Sequence, residues 1–172
     1  MSILPTRLRI RTYGDPALRK RAKPVKVVGD QERTILSEMA ELMRLSGGIG
    51  LAAPQVGLSK QMVVVDVGCG PVILINPRIV KKSGSQKLEE GCLSLPGVYV
   101  NVRRAKKIVV NGSNEQNEKV SLPASDLLAR ALQHEIDHLR GKLIIDYANL
   151  IQRIRLRKRL KNLQRTGSYE WL

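Results

Sequence analysis

Across residues 30–46, Ile35, Leu36, Met39, Leu42 and Met43 recur at three- and four-residue intervals, which is the spacing of one face of an α-helix. The pattern predicts a core helix there, with Asp30 as N-cap and the two methionines packing rather than binding a cofactor. A second helical pattern runs through Leu127, Leu128, Ala131, Leu132, Ile136 and Leu139. Pro123 precedes it, Ser125 is placed to cap it, Asp126 suits its first turn, and Gly141 is placed to end it in a left-handed conformation. Shorter β-branched or alternating runs at 61–67, 71–75, 79–82, 98–102 and 106–110 predict strands. A turn is expected at Asn76-Pro77 and a polar loop over 111–118. Residues 1–29 read as extended and turn-rich, with a turn at Tyr13-Gly14-Asp15-Pro16 and a short strand over 25–28. Runs of strands between helices predict an α+β fold, with antiparallel sheets packed around the second helix.

A third helical stretch, residues 151–165, changes this picture through its charge: it carries seven basic residues and no acid. Tyr147, Leu150, Ile151 and Ile154 form one apolar stripe, and Leu156, Leu160 and Leu163 form another on nearly the opposite face. The first half is expected to pack on the domain and the second half to expose its leucines and cations, as an interaction helix would. At 172 residues the chain reads as one domain, with residues 1–149 as its body and 150–172 as a basic helix and tail of that domain. The formal charge of +15 points toward a polyanionic partner or surface. No run approaches the roughly 18 apolar residues of a membrane span, and the opening MSILPTRLRI lacks the apolar core of a signal peptide. With Cys69 and Cys92 as the only cysteines, a reducing cytoplasm is the expectation and a disulfide is not.

The candidate chemistry is concentrated in QHEIDHLRG, residues 133–141, on the second helix. His134 and His138, the only two histidines, lie four apart on one face, and Glu135 adjoins the first. Two neutral imidazoles begin a transition-metal site, and the neighbouring carboxylate is suited to take a proton from metal-activated water. Such histidines also occur as satisfied core residues, so a third ligand is required. No histidine follows them; of the later acids, Asp146 reads as structural, which sends the search upstream. There LEEGCLSLPG (88–97) places Cys92 beside Gly91, and its thiolate would complete a Cys/His/His set with an open fourth position. The glycine-rich GGIGLAAPQVG (47–57) matches neither a dinucleotide fingerprint nor a phosphate loop, but it lets backbone approach a ligand, and Gln55 adds an amide donor. An HExxH metallopeptidase would use the histidines without needing Cys92. An RNA-binding protein without catalysis would explain the charge but not the grouping of His134, Glu135 and His138.

Taken together, GIGLAAPQ (48–55), EGCLSLPG (90–97) and QHEIDHLRG (133–141) resemble the three motifs of the peptide deformylase family, in the same order and at bacterial-type intervals. TYGDPALRKRAKPV (12–25) is also similar to the start of that family, so the resemblance spans about residues 10–147. It implies a metal-dependent hydrolase that removes the formyl group from the N-terminal formyl-methionine of newly made polypeptides. It also implies Cys92, His134 and His138 as ligands of one divalent metal, usually Fe(II), with zinc, nickel or cobalt as substitutes. Glu135 becomes general base and then acid, while the Gln55 side chain and the Leu93 N–H hold the developing oxyanion. One such donor is worth about 2.7–4 kcal/mol in comparable reactions. Ile49 and Gly50 are implied to flank the peptide, Gly91 to line its path, and Leu127, Arg130 and Ala131 to wall the methionine pocket. Arg130 would use its aliphatic stem there and keep its head in water. The implied partners are formyl-methionyl nascent peptides and, through the basic helix, the ribosome in the bacterial cytoplasm rather than in an organelle; no specific DNA target is implied. Two departures stand out: Asp126 where the family generally has glycine, and Ile144 where an aromatic residue is common.

Overall fold

A computed structural model describes residues 8–166, so the first seven residues and the end of the basic tail, with Glu170, lie outside the described residues. Among the described residues, three α-helices, α1 (Asp30–Leu45), α2 (Asp126–Leu139) and α3 (Leu150–Thr166), combine with two antiparallel sheets in an α+β fold. The larger sheet has the order β1 (Gly50–Ala52), β2 (Met62–Val65), β3 (Val72–Ser83), β6 (Lys107–Ser113), β7 (Lys119–Ser125); the smaller pairs β4 (Gln86–Glu90) with β5 (Val100–Arg104).

The larger sheet is covered on both faces, and the two-residue period of β2 explains how. Val63 and Val65 face α2, joining Leu132, Ile136 and Leu139 in one core cluster with Leu74, Ile108 and Val110. Met62 and Val64 face the other way, toward Leu36, Met39 and Met43 of α1. The paired methionines therefore pack, as their spacing predicts. A third cluster lies over β5, where Leu95, Val98, Val100 and Val102 meet Leu18, Leu143, Ile144 and Leu163. Ile144 is buried in that cluster, against which the ring of Tyr13 also packs.

Several expectations from the sequence are corrected. Residues 72–83 form one strand, without a turn at Asn76-Pro77: Asn76 adopts φ +52° at a bulge, and its side chain bonds both the N–H and the carbonyl of Val25 at 2.9 and 2.7 Å. Residues 25–28 form no strand, because side chains satisfy their backbone instead: Asn117 likewise holds Val28 by its N–H and carbonyl. The glycine-rich stretch contains strand β1 and a 3₁₀ turn, Ala53–Val56. Gly29, not Asp30, caps α1, and its N–H donates to the Glu32 carboxylate at 3.0 Å. Ser125 sits at the N-cap of α2 but makes no side-chain cap bond. Asp126 has φ +51°, a left-handed conformation that accounts for glycine at this point in the resembling family.

At the far end of α2 the expectation holds. Gly141 has φ +72°, its N–H bonds the His138 carbonyl, and the Lys142 N–H bonds that of Asp137, which together form a Schellman cap. The packing of α3 is the reverse of the expected one. Leu156, Leu160 and Leu163 dock on the β5 cluster, with Leu163 only 3% exposed, whereas Leu150, Ile151 and Ile154 are 74%, 61% and 65% exposed. Among the described residues no helix is long and apolar enough to cross a membrane.

Candidate metal centre

The site forms where α2, the segment after β4 and the segment around β1 converge. On α2 the four-residue spacing stacks His134 above His138, with their Nε2 atoms 3.2 Å apart. Cys92, two residues beyond the end of β4, brings its Sγ to 3.3 Å from His138 Nε2. The three ligand atoms all lie within 4.8 Å of one another. Cys69 is exposed and Cys92 half-buried, and neither is in a disulfide.

This donor set fits a divalent transition metal, since one thiolate and two imidazoles offer three lone pairs to a single point. Glu90 Oε2 lies 3.1 Å from His134 Nδ1, and a proton held between them would leave Nε2 for the metal. Protein charges divide the two rings. Burial opposes charge on His134, yet Cys92 and Glu90 raise its pKa well above the ordinary value; burial, then the charges of His134 and Arg104, push His138 well below it. Burial would likewise raise Glu90, but His134 and Arg104 hold it at about 2.

Glu135 follows His134 on α2 and turns into the space left by Gly50, where a Cβ would collide with its Oε1. Its Oε2 is buried and has no hydrogen-bond partner among the described residues. Burial raises its pKa to about 7, against the opposing pull of His134 and Arg104. A carboxylate balanced near neutrality can both take and return a proton. Gln55 is buried with its oxygen occupied by the Ala52 N–H at 2.7 Å, so its NH₂ group faces Cys92 Sγ at 3.5 Å and Ser94 Oγ at 3.3 Å. The Leu93 N–H makes no bond to another described residue.

A profile of the polypeptide deformylase family matches residues 7–154. This chain belongs to the polypeptide deformylase family. A peptide deformylase of Carboxydothermus hydrogenoformans is 51% identical over 140 residues, spanning 81% of this chain and 92% of its own. The solved peptide deformylase of Thermotoga maritima is 46% identical with a TM-score of 0.81, covering 83% of this chain and 97% of that one. That of Legionella pneumophila is 37% identical with a TM-score of 0.87, covering 92% and 96%. The chain is thus a deformylase-family hydrolase, and its Cys/His/His group is a site that could hold a metal.

A cavity of about 410 Å³ opens over the Cys92 and His134 side chains. Ile49, Gly50, Gln55, Gly91, Cys92, Leu93, Leu127, Arg130, Ala131, His134 and Glu135 all line it, so every site residue expected from the sequence except His138, deeper on α2, reaches the same space. Arg130 is the one whose environment differs from expectation. Its guanidinium is buried, not in water, and donates to Glu90 Oε1 at 2.5 Å and to the carbonyls of Val102 and Gln86. Sequence reasoning missed Glu90 as a partner, although it opens the quoted motif EGCLSLPG. It also missed Tyr99, whose ring lies against Gly91 at the cavity edge; an aromatic in a chain that is 3% aromatic is the signal that could have found it.

Proposed function

We propose that the chain removes the formyl group from the N-terminal formyl-methionine of new polypeptides, with Cys92, His134 and His138 holding one divalent metal. Fe(II) is the ion of this reading, with zinc, nickel or cobalt as substitutes, because soft thiolate and imidazole donors suit them all. The observation that carries the proposal is that Cys92, His134, Glu135 and Gln55 line one cavity of a deformylase-family chain, with His138 grouped with the first two just beneath it.

When bound, the metal supplies Lewis acidity, polarising the formyl carbonyl and making water nucleophilic near neutral pH. Glu135 takes the proton of the attacking water at its unpartnered Oε2 and returns it to the departing amine nitrogen, so that water and formamide become formate and amine. The Gln55 NH₂ group, fixed by the bond between its oxygen and the Ala52 N–H, and the Leu93 N–H donate to the carbonyl oxygen as charge grows there. Ile49 and Gly50 flank the extended peptide and Gly91 lines its path. The methionine side chain enters between Leu127, Ala131 and the stem of Arg130, whose head is committed to Glu90. The exposed face of α3 docks at the ribosome, and the enzyme works in the bacterial cytoplasm.

The reading is tested by formate release from a formyl-Met peptide set against an acetyl-Met peptide and an internally cleavable one, using anaerobically purified, Fe(II)-loaded protein. Formate from the first substrate alone is the expected result. Internal cleavage that persists in Cys92→Ala would instead mark an HExxH metallopeptidase, and a folded chain without hydrolysis would leave an RNA-binding role.

A further inference from the structure

Behind the three metal-facing side chains lies a buried ionic cluster drawn from four separate parts of the chain. Glu90, the last residue of β4, places Oε2 at 3.1 Å from His134 Nδ1. Arg104, at the end of β5, grips the same carboxylate with both edges of its fork: Nε donates to Oε1 at 2.6 Å and Nη2 to Oε2 at 2.9 Å. Arg130 adds a third donor at Oε1. The remaining Nη1 of Arg104 donates at 2.8 Å to Asp137 Oδ2, which also accepts the Tyr147 hydroxyl at 2.7 Å. The side chains of Glu90 and Arg104 are only 6% and 4% exposed, so these charges are shielded from water and depend on one another. His138 has no such support, since its Nδ1 is buried without a hydrogen-bond partner among the described residues.

The geometry points to Glu90 as a positioning residue of the metal centre, with Arg104 and Arg130 as the clamp that holds it; this rests on the reading of Cys92, His134 and His138 as metal ligands. A carboxylate at Nδ1 pins the proton there, aims the ring, and keeps the Nε2 lone pair turned to the space shared with Cys92 and His138. Three guanidinium donors and one imidazole occupy both Glu90 oxygens, so the carboxylate cannot swing away from the ring. Asp137 anchors Arg104 from the same helix that carries both histidines, tying the β4–β5 hairpin to α2. Arg130 has two surfaces, one against the cavity and one on Glu90, so the wall facing the peptide and the support of His134 are one structure.

The test uses the full chain and has two readouts besides activity. Long-range proton–nitrogen correlation spectra of the zinc-loaded wild type are expected to place the His134 proton on Nδ1; a bare Nδ1 overturns the inference without any variant. Competition with a chromophoric chelator then measures Co(II) affinity. Glu90→Gln should bind roughly 10- to 100-fold more weakly, the range found when such supporting partners are removed. Arg104→Lys, which keeps the charge but loses the fork, should fall between it and the wild type. A folded Glu90→Gln that binds Co(II) within about twofold of the wild type contradicts the clamp. Should that variant not fold, the spectra of the wild type alone decide. A wild type whose cobalt spectrum lacks a thiolate band dependent on Cys92 contradicts the ligand reading itself, which separates the two failures.

Discussion

Gly50 has no side chain, and the Glu135 carboxylate uses the vacant space. Replacing Gly50 with alanine would bring a Cβ into collision with Glu135 Oε1, and the three nearest atoms it would meet all belong to the Glu135 side chain. Formate release by Gly50→Ala should fall by roughly 10²-fold or more, the contribution of a well-placed general base, with bound metal unchanged on elemental analysis. Loss of metal along with activity would contradict this division of roles. At this scale the sequence was informative wherever a residue's chemistry follows from its own neighbours. His134, Glu135 and His138 share one helical turn, and Cys92 stands out because cysteines are scarce. Arg130 shows where such reading ends. Nothing at positions 127–133 signals that Glu90, forty residues earlier, receives its guanidinium, because the meeting depends on how the β4–β5 hairpin lies against α2. An arginine beside an apolar pocket was expected to keep its head in water; a fixed carboxylate within reach reverses that choice.

The elements divide in the same way, into those whose own pattern decides them and those decided by neighbours. Both core helices were legible because each buries one face at regular spacing, and Gly141 marks a true helix end. β7 was not, since it carries Pro123 and exposes most of its residues; as the edge of the larger sheet it tolerates a proline that an interior strand would not. β4, with the sequence QKLEE, shows no apolar pattern because only its last residue is buried. The start of α1 supplies a prediction of its own. Glu32 accepts from Lys60 at 2.6 Å and from the Gly29 N–H, and Lys60 first, then Gly29, hold its carboxyl below the ordinary glutamate range. A pKa lower in the folded state than in the unfolded one gives stability that is present above the ordinary value, about 4.3, and lost as pH falls through the folded one. Glu32→Gln should therefore lower stability by about 1 kcal/mol at pH 7, with the difference shrinking to nothing as the solution is acidified below that range. Urea unfolding at both pH values checks this; a difference that grows in acid would mean the sign is wrong.

For the whole molecule, the charge of +15 and the basic third helix suggested a polyanionic partner, and the structure changes which face is available to it. The leucines expected to stay exposed are those that dock α3, because the β5 cluster offers them an apolar seat that the sequence pattern alone could not locate. Ile151, Ile154, Arg155 and Lys158 instead share the opposite, solvent-facing side at helical spacing. Removing α3 would strip Leu163 from the core, so charge reversal on the intact chain is the sounder test of the ribosome proposal. Arg155→Glu with Lys158→Glu should weaken ribosome binding at low salt by roughly 10-fold or more and flatten its salt dependence, as loss of phosphate contacts requires. Binding and salt slope equal to those of the unaltered chain would contradict a docking role for this face.

If Glu135 moves the proton in metal-dependent deformylation, its removal must show in the rate of formate release. Formate release from a formyl-Met peptide is followed for the anaerobically purified chain and for Glu135→Ala, with metal content determined on both. Formate from the unaltered chain and a loss of roughly 10²- to 10⁴-fold in the variant, with metal still bound, are the expected results. Comparable rates from the two, or no formate from a folded, Fe(II)-loaded chain, would contradict that role of Glu135.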